Sequence, residues 1–414
     1  MNIWIFQSGE PLHCDQDSPR PMRAMNLANK LVEKGHKVTL WSSAFYHQSK
    51  SHRSKTYKRI HISDNLEIRL IPSTGYKKNI SISRFYDHFL LAWNLHRRLV
   101  LEKIAPDAAF IGYPPIEPAY AMSRWLNKNN VPFFLDMKDQ WPHILVKSFP
   151  IFLRPIARII LSPYFYFAKK TIKNTTAISA HVSGYIKWAL LFSKRESSEN
   201  NKIFPLTAPE DKIDPNLLER SKTWWSDQGI IKDNSLKIMF VGSFSRAFNF
   251  DDIFNASAKL LKEGVDCQFI LCGDGDRNEE LRLKAKPHAN IKIIEWIDRP
   301  KIIALSEISN AAIAPYKNSE DFVTSIPNKI IDSMMLGLPL LSSLEGEVKS
   351  LIEKHNIGYS YNKNVTLDEC IKMLGQSQDL EKTLSKNAKN LYSSEFEFNK
   401  VYGNLVEEIE GLVQ

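Results

Sequence analysis

The sequence predicts an α/β protein built from two open parallel sheets with helices on both faces. Short β-rich runs alternate with helical patterns along the first half of the chain, and the same alternation restarts in the second half. A polar, breaker-rich stretch separates the halves near Pro205. We therefore expect one domain over residues 1–205, a second over 206–390, and a closing helix over 391–414 that returns to the first domain.

The first half starts with an apolar strand, NIWIF, followed by the helix SPRPMRAMNLANKLVEKG. Ser18 is its predicted N-cap, Pro19 lies in its first turn and Gly35 ends it. Residues from Glu196 to about Ser235 are expected to be irregular. Further strands are predicted at HKVTLWSS, LEIRLIP, DAAFIGY, VPFFLDM and TTAISA, and further helices at RFYDHFLLAWNLHRRLVLEK, PAYAMSRWLNKN and HVSGYIKWAL.

The second half repeats the pattern, and ligands of such sheets bind at the carboxyl ends of the strands. Two facing sheets would place a cleft between the domains. Strands are predicted at LKIMFVGSF, DCQFILCGDGD, NIKIIEWI, AAIAPY, LPLLSS and YSYN, and helices at DDIFNASAKLLKEG, RNEELRLKAK, PKIIALSEIS, LEKTLSKNAKNLY and EFNKVYGNLVEEIEGLV.

Composition indicates a soluble globular protein, with 43% hydrophobic and 24% charged residues. The sequence has no run of about 18 apolar residues, so we expect no membrane span. MNIWIF lacks a basic segment before it, so it is interpreted as a strand and not as a signal peptide. The four cysteines lack metal-ligand spacing and are expected to be free thiols in a reducing cytosol.

The formal charge of +9 is unevenly distributed. Nine Lys or Arg and no Asp or Glu lie between Trp141 and Arg195, and five more without an acid lie between Lys50 and Arg59. Such blocks favour a polyanion or an anionic membrane surface, or they form a solvated face. The segment FPIFLRPIARIILSPYFYFAKKTIK mixes cations with apolar residues, which is typical of an interfacial membrane helix or of a buried inter-domain helix.

A helix start in the second half carries two unexpected charges within TSIPNKIIDSMMLGLP. Thr324 and Ser325 are expected to cap the helix, with Pro327 in its first turn. Lys329 lies where the helix dipole disfavours a cation, unless an anion such as a pyrophosphate binds there. Asp332, about one turn on, is placed to accept hydrogen bonds from sugar hydroxyls. The alternative is a snorkelling lysine and a solvent-facing aspartate.

Two glycine-containing turns precede this helix. In FVGSFSRAFNFDDI, a strand ends at Gly242 and a polar loop runs to Arg246, with a helix expected near Asp251. Main-chain amides and one arginine there suit a phosphate, although a loop arginine is often only a surface charge. In LCGDGD, Gly273 and Gly275 allow a close backbone approach or form a simple strand-end turn.

In order and spacing these motifs resemble the retaining glycosyltransferases of family 4, two-domain enzymes of the GT-B fold. The resemblance covers nearly the whole chain and is stronger in the second half. It implies that the loop with Gly242, Ser243 and Arg246 grips the donor pyrophosphate, followed by the turn with Gly273 and Gly275. It also implies that the run Ile293–Ile297, which includes Trp296, lies beside the nucleobase, and that the Gly337-Leu338-Pro339 turn ends the motif helix.

The family's paired glutamates, E-x7-E, appear here as T-x7-D, from Thr324 to Asp332. The resemblance assigns the donor ribose to Asp332, whereas Thr324 replaces the first carboxylate. The turn Pro327-Asn328-Lys329 resembles a subgroup that builds bacterial surface polysaccharides, which implies a phosphate role for Lys329. Ser325 and Asn328 join the predicted nucleotide-sugar site.

The first half carries a matching signature, LDMKDQWPH, which resembles D-x-x-D-x-W-P of the same subgroup. Asp139 is predicted to face the reacting sugar or to receive the acceptor proton. The alternative is that Asp136 caps a turn and Asp139 starts a helix. The predicted acceptor side also includes residues of the first loop and helix and of this signature, namely Gly9, Arg20, Arg23, Lys138 and His143, the last of these more typical of a structural histidine.

The sequence thus predicts a two-domain glycosyltransferase with no cofactor beyond its nucleotide-sugar co-substrate. The family resemblance implies retention of the anomeric configuration, independence from metal and a role in surface polysaccharide synthesis, such as lipopolysaccharide, capsule or O-antigen. Asp139, Arg246 and Lys329 are its predicted catalytic residues. Its expected partners are a lipid-diphosphate-linked glycan and the inner face of the plasma membrane, with no nucleic acid. Two alternatives stay open: a nucleotide-sugar epimerase of similar fold, and a non-catalytic binding subunit.

Overall fold

The computed structural model describes residues 1–16, 20–79, 81–209 and 213–413, with the side chains of residues 320 and 321 excepted. The chain forms two compact units: residues 1–208 together with the chain from Phe398 onward, and residues 209–397. Each unit is organised around one large sheet of mainly parallel strands. The predicted α/β class with two Rossmann-like units is therefore confirmed.

The first unit contains ten strands and nine helices within the described residues. The strands are β1 (Asn2–Phe6), β2 (Lys37–Ser43), β3 (Phe45–Tyr46), β4 (Ser51–His52), β5 (Lys58–Ser63), β6 (Leu66–Ile71), β7 (Ala108–Tyr113), β8 (Phe133–Met137), β9 (Ala177–Ala180) and β10 (Lys202–Ile203). The helices are α1 (Arg23–Glu33), α2 (Ile82–Leu99), α3 (Ile116–Lys128), α4 (His143–Lys147), a 3-10 turn (Ile151–Leu153), α5 (Arg154–Ile160), α6 (Ser162–Lys173), α7 (Ser183–Ser193) and the closing helix (Phe398–Gly411).

Eight of these strands form a sheet in the order β10-β9-β8-β7-β1-β2-β6-β5. Neighbouring strands run parallel except for β5 and β6, and a separate antiparallel hairpin joins β3 to β4. Ile3 and Ile5 of the central strand pack with Tyr402 and Leu405 of the closing helix in one buried cluster. This packing places the closing helix in the first unit.

The second unit has a six-stranded, fully parallel sheet in the order β13-β12-β11-β14-β15-β16. Its strands are β11 (Leu236–Val241), β12 (Cys267–Cys272), β13 (Ile291–Ile294), β14 (Ala311–Ala314), β15 (Leu340–Ser342) and β16 (Gly358–Ser360). Its helices are α8 (Pro215–Asp227), α9 (Asp251–Lys262), α10 (Asn278–Ala285), α11 (Arg299–Ser306), α12 (Glu320–Val323), α13 (Asn328–Met335), α14 (Glu347–His355), α15 (Leu367–Gly375), α16 (Gln378–Leu391) and a π-helical turn (Tyr392–Phe396); the closing helix is α17.

Two elements differ from the sequence-based expectation. β5 lies in a stretch that was interpreted only as a basic block; it is the antiparallel edge strand, and its mostly exposed, charged side chains suit an edge. α8 lies in a region expected to be irregular. Asp214 caps α8 by accepting a hydrogen bond from the Asn216 amide at 2.9 Å, and buried Trp225 donates from Nε1 to the Lys301 carbonyl at 2.8 Å.

The start of α1 also differs from its prediction. The helix begins at Arg23 with Met22 at the N-cap position, so Arg20 precedes it, and the predicted cap Ser18 and first-turn Pro19 lie outside the described residues. Gly35 ends the helix in a left-handed conformation, as predicted, with φ of +85°.

Arg23 and Asp136 form a buried ion pair that joins α1 to β8. Arg23 Nε lies 2.8 Å from Asp136 Oδ2, Nη2 donates to Oδ1 at 2.9 Å, and Nη1 donates to the Phe204 carbonyl at 2.9 Å. Ser179 donates a further hydrogen bond to Oδ1 at 2.9 Å. Burial alone would raise the pKa of the Asp136 carboxyl, but the guanidinium holds it below its usual value.

No single helix among the described segments is long and apolar enough to cross a membrane. The 3-10 turn with α5 and the following α6 meet the length and composition criterion only as a pair, and the chain bends by 68° between them.

Replacing Arg23 tests the buried ion pair. Arg23→Ala should lower the free energy of unfolding by about 3–5 kcal/mol, because it leaves the Asp136 carboxylate buried without its cation. Arg20→Ala, at an exposed position just before the helix, should change it by less than about 0.5 kcal/mol. Urea unfolding of both variants measures the difference, and equal stabilities would contradict the structural role of the pair.

Candidate functional site

The loops that follow β11 and β12 are joined by backbone hydrogen bonds at the carboxyl edge of the second sheet. The Gly242 amide donates to the Cys272 carbonyl at 2.9 Å, and the Phe244 amide donates to the Asp274 carbonyl at 2.8 Å. A Cβ at Gly273 would lie 1.8 Å from the Gly242 carbonyl oxygen. Glycine is required there because the two backbones approach too closely for any side chain.

Lys329 extends from the first turn of α13 to the end of β11. Its Nζ donates a hydrogen bond to the Val241 carbonyl. A Cβ at Gly242 would lie 1.6 Å from Lys329 Nζ, so the missing side chain at Gly242 provides the space for the ammonium group. Gly242 and Lys329, which lie 87 residues apart along the chain, therefore meet at one point.

The surroundings of Lys329 are unfavourable for a cation in the free protein. Its Nζ lies 5.0 Å from the ring centre of Phe240 and 5.6 Å from that of Phe248. Burial lowers the pKa of Lys329 to about 8, although the charge of Asp332 partly opposes this shift. Among the described side chains, no carboxylate lies within ion-pairing distance of its Nζ. An anion bound beside Nζ would stabilise the charged form.

The capping of α13 differs from the prediction. Pro327, predicted in the first turn, occupies the N-cap position, where it has no side-chain acceptor for the first helical amides. Thr324 instead follows the short helix α12 as its C-cap, and Ser325 Oγ donates back to the Phe322 carbonyl at 3.5 Å. The N-cap position of α13 is therefore held by Pro327 and not by Thr324 or Ser325. Pro327 provides no side-chain cap for the backbone amides at this helix start. The helix dipole favours an anion at the same place.

Several predicted donor-site residues lie at the surface near these loops. Arg246 is 89% exposed, with Nε 3.7 Å from Asp276 Oδ2, so it has only a weak, solvated partner. Ser243 and Asn328 are exposed, and Trp296 follows β13 with two thirds of its surface in solvent. α9 starts at Asp251, as expected.

A second concave site lies wholly within the first unit. The cavity has a volume of about 300 Å³, and its lining includes three of the predicted residues, Gly9, Lys138 and Asp139. Its remaining polar lining comes partly from residues that the sequence analysis did not select, in the β3–β4 hairpin, the loop after β6 and the start of α2: His47, Tyr76, Arg84, Asp87 and His88.

The predicted residues in this cavity have partners of their own. Lys138 forms an ion pair with Glu10 and donates to Gln7 Oε1 at 2.9 Å. Glu10 also accepts from the Ala24 amide at 2.9 Å, which fixes the first loop against α1. Asp139 accepts from the Gln140 amide at 2.7 Å, so it forms the start of a turn and still lines the cavity.

Three predicted acceptor-side residues are not in the lining of this cavity. Arg23 does not face the acceptor side as expected, because it is buried in its ion pair with Asp136. The Asp136 carboxylate is the anion that stabilises this cation at the start of α1. Arg20 is exposed. His143 packs edge-on against Phe165, Trp188 and Phe192, with ring centres 5.1–5.5 Å apart, and burial lowers its pKa.

Glu117 is a buried titratable residue beside the cavity that the sequence analysis did not select. Tyr164 donates a 2.5 Å hydrogen bond to Glu117 Oε1, and His88 Nδ1 lies 3.8 Å from Oε2 of the same carboxyl. Burial raises the pKa of Glu117 to about 7 and lowers that of His88 to about 3. The histidine is therefore neutral at pH 7.

Metal ligation has no obvious candidate in the parts of the chain that the structure describes. No group of three or more His, Cys, Asp or Glu side chains there is arranged to hold a metal ion.

Part of the second unit matches a known protein family. Residues 221–391 match the family model described as "Glycosyl transferases group 1". This segment includes β11, β12 and α13, and hence Gly242 and Lys329. Among curated proteins, no sequence matches this chain.

Solved structures with the same fold cover essentially the entire chain. WaaG, a glycosyltransferase involved in lipopolysaccharide biosynthesis, aligns with a TM-score of 0.60 at 14% identity, covering 99% of this chain and 100% of its own. Anabaena Alr3699/HepE in complex with UDP and glucose gives 0.61 at 12% identity, covering 99% and 100%. A trehalose-6-phosphate synthase from a study of glycosyl transfer with retention gives 0.61 at 10% identity, covering 99% of each chain. The chain therefore has the GT-B fold, and its residues 221–391 are similar to the glycosyl transferases group 1 model.

Proposed function

We propose that this protein is a glycosyltransferase that moves a sugar from a nucleotide-diphosphate donor to a glycan acceptor. The observation that carries the proposal is the desolvated ammonium of Lys329. It lies at a helix start, against the backbone of Gly242, inside the segment that matches the glycosyltransferase family model. A diphosphate at this point would supply the anion that the described side chains around Lys329 do not provide.

The proposed chemistry separates the anomeric carbon from the diphosphate. As that C–O bond breaks, negative charge develops on the leaving phosphate, and Lys329 with the first amides of α13 stabilises it. Arg246, mobile enough in its exposed position to move toward an anion, adds a second cation. Asp332 holds a donor hydroxyl. The acceptor hydroxyl forms the new C–O bond and transfers its proton to the carboxylate of Asp139 on the acceptor side.

Retention of the anomeric configuration and independence from metal belong to the same proposal. The solved structure concerned with retention has this fold, and the HepE complex contains UDP, so UDP-sugars are the first donors to test. A lysine and helix amides replace a divalent cation as the charge that the leaving diphosphate needs.

The acceptor is proposed to be a lipid-diphosphate-linked glycan of cell-surface polysaccharide synthesis, which places the protein on the cytoplasmic face of the plasma membrane. WaaG, with the same fold, is described as acting in lipopolysaccharide biosynthesis. A physical reason comes from an apolar surface between α4 and α6, the docking face, defined by these exposed side chains: Phe149, Ile151, Phe152, Ile156, Ile159 and Ile160.

The docking face combines exposed apolar side chains with cations. Phe152 and Ile159 are each 74% exposed, so the alternative of a buried inter-domain helix fails for these side chains. Exposed Arg158 lies on α5 beside Ile159, and exposed Lys147 and Lys170 lie on the neighbouring helices α4 and α6, in a stretch without acids. Apolar surface of this kind is rare on monomeric soluble proteins, and a basic rim matches anionic lipid.

A stripe on α2 extends the exposed apolar surface. Ile82, Tyr86, Phe89 and Trp93 follow helical spacing and are each more than half exposed. The same helix contacts α6, since the rings of Phe85 and Tyr164 lie 5.3 Å apart.

Nucleotide binding tests the proposed donor site. UDP or another nucleoside diphosphate should raise the melting temperature of the wild-type protein, in EDTA as well as without it. Lys329→Met should weaken that binding by about 1.5–3 kcal/mol, roughly ten- to a hundredfold, because it removes a charged hydrogen-bond donor. The ligand-free melting temperature of the variant should not fall, since the desolvated charge is gone. Absence of a shift with every nucleotide would overturn the donor site, and loss of the shift in EDTA would overturn metal independence.

The pH dependence of diphosphate binding follows from the lowered pKa of Lys329. The ammonium is charged below its free-state pKa of about 8, and a bound diphosphate raises that pKa. Affinity should therefore be constant just below pH 8 and fall above it, by up to about tenfold per pH unit until the pKa of the complex is reached. Titration calorimetry with UDP between about pH 7 and 10, where the phosphate is already ionised, measures this slope. A Lys329→Met variant that kept the slope would assign it to another group.

The docking face predicts binding to anionic vesicles. Ile159→Glu should weaken sedimentation with phosphatidylglycerol-containing vesicles about tenfold or more, because burial of one large apolar side chain contributes about 1.5–3 kcal/mol. Leu283→Glu, at a 62% exposed position on α10 in the other unit, is the matched control and should bind as the wild type does. Equal binding of the two variants, or equal binding to purely zwitterionic vesicles, would rule out this face.

A further inference from the structure

Three basic side chains surround Tyr76, and two of them, His47 and Arg84, line the first-unit cavity. His47 Nδ1 lies 2.6 Å from the Tyr76 hydroxyl and 3.1 Å from Lys50 Nζ. Lys50 Nζ also lies 4.7 Å from the centre of the Tyr76 ring, and Arg84 Cζ lies 5.5 Å from it. Asn79 joins the two long cations, since its Oδ1 accepts from Lys50 at 2.6 Å and its carbonyl accepts from Arg84 at 2.8 Å. We call His47, Lys50 and Arg84 the basic triad.

The triad has no carboxylate partner among the described residues. Lys50 and Arg84 form no ion pair there, and Arg84 Nε is buried without a hydrogen-bond acceptor. Arg84 is nevertheless held in place, because its guanidinium lies 4.8 Å from the ring centre of Trp141 and it belongs to the first turn of α2. A fixed guanidinium that lines a cavity and has no carboxylate partner is suited to bind an oxyanion.

The acids that line the same cavity are bound elsewhere. Asp87 accepts a hydrogen bond from the Gly75 amide at 2.5 Å, and Glu10 is paired with Lys138. Asp139 accepts from the backbone amide of Gln140. Among the described residues, neither Asp87 nor Glu10 forms an ion pair with Lys50 or Arg84.

Mutual repulsion and burial make the empty triad unfavourable. Burial, then the charges of Lys50 and Arg84, lower the pKa of His47. Burial, then Arg84, lower the pKa of Lys50. Because an ammonium only donates, His47 Nδ1 accepts from Lys50 and the ring proton lies on Nε2. Lys50 also adopts a left-handed backbone conformation, with φ of +55°, which is uncommon for a lysine.

We propose that the basic triad is a phosphoryl-binding subsite, which holds a phosphate or diphosphate group of the acceptor in the first-unit cavity. The identification of the ligand as the acceptor rests on the proposed transfer function. The binding of a phosphoryl group itself does not require activity. A phosphoryl group fits better than a carboxylate, because three non-bridging oxygens and a charge near −2 match three converging donors. A cavity of about 300 Å³ leaves room for the group attached to it.

Pyrophosphate binding tests the subsite separately from the donor site. Lys329→Met protein, in which the proposed donor site is disabled, should still bind pyrophosphate in titration calorimetry. Adding Lys50→Asn should weaken that binding about tenfold. Asparagine is chosen because it tolerates the left-handed backbone at this position. Adding Arg84→Gln to Lys329→Met should weaken binding at least as much, and melting curves identify any variant that fails to fold.

The matched control is Lys55→Asn in the same Lys329→Met background. Lys55 is exposed and outside the triad, so this variant has the same net charge as the Lys50→Asn variant and should bind pyrophosphate unchanged. Equal binding by the Lys50 and Lys55 variants, or no residual pyrophosphate binding in Lys329→Met protein, would overturn the subsite. If instead Lys329→Met leaves nucleotide binding intact, the donor proposal fails while the comparison of Lys50 with Lys55 still decides the subsite.

Two probes distinguish the source of the phosphoryl group. Geranyl diphosphate carries it on a lipid, and glucose 6-phosphate carries it on a sugar. Tighter triad-dependent binding of geranyl diphosphate than of pyrophosphate would support a lipid-linked acceptor, whereas tighter binding of glucose 6-phosphate would support a phosphorylated sugar. Triad-independent binding of both probes would contradict the proposal.

Discussion

The geometry of the donor side depends on one unfavourable placement, the ammonium of Lys329 at a helix start between two phenylalanine rings. Gly242 has no side chain because the lysine occupies that space, and Gly273 has none because the backbone of Gly242 lies against it. A loop, a turn and a helix from distant parts of the sequence are thereby constrained to one point. The free-energy cost of desolvating the lysine is understandable if function requires a charge there before the anion arrives.

Most of the fold was predictable because each buried parallel strand is a short apolar run followed by a helix with its own stop signal. β7 and β11 are examples that the pattern located closely. β5 was missed because an exposed edge strand needs no apolar face, and its lysine and arginine resembled a simple charged block. α8 was missed because the prolines of this region, among them Pro215 at the start of the helix, predicted irregular structure, whereas Trp225 packs the helix against α11 in a tertiary contact.

The two candidate sites differed in how far the sequence could predict them. Lys329 and Gly242 belong to motifs with local signatures, so the sequence selected both, although only the structure shows that they touch. The basic triad has no such signature: its members come from a hairpin and a helix start, and the loop residue Tyr76 brings them together. Local pattern cannot predict a site whose residues are adjacent only after folding.

A cation in the first turn of a helix has two different structural outcomes in this protein. Arg23 found an internal carboxylate in Asp136, so its charge is satisfied and its role is stability. Lys329 and Arg84 have the same kind of position, yet neither has a carboxylate partner among the described side chains. The helix dipole disfavours all three alike, so it cannot distinguish them. What distinguishes them is whether the fold itself supplies the anion, and where it does not, a bound ligand is the physical explanation for keeping the charge.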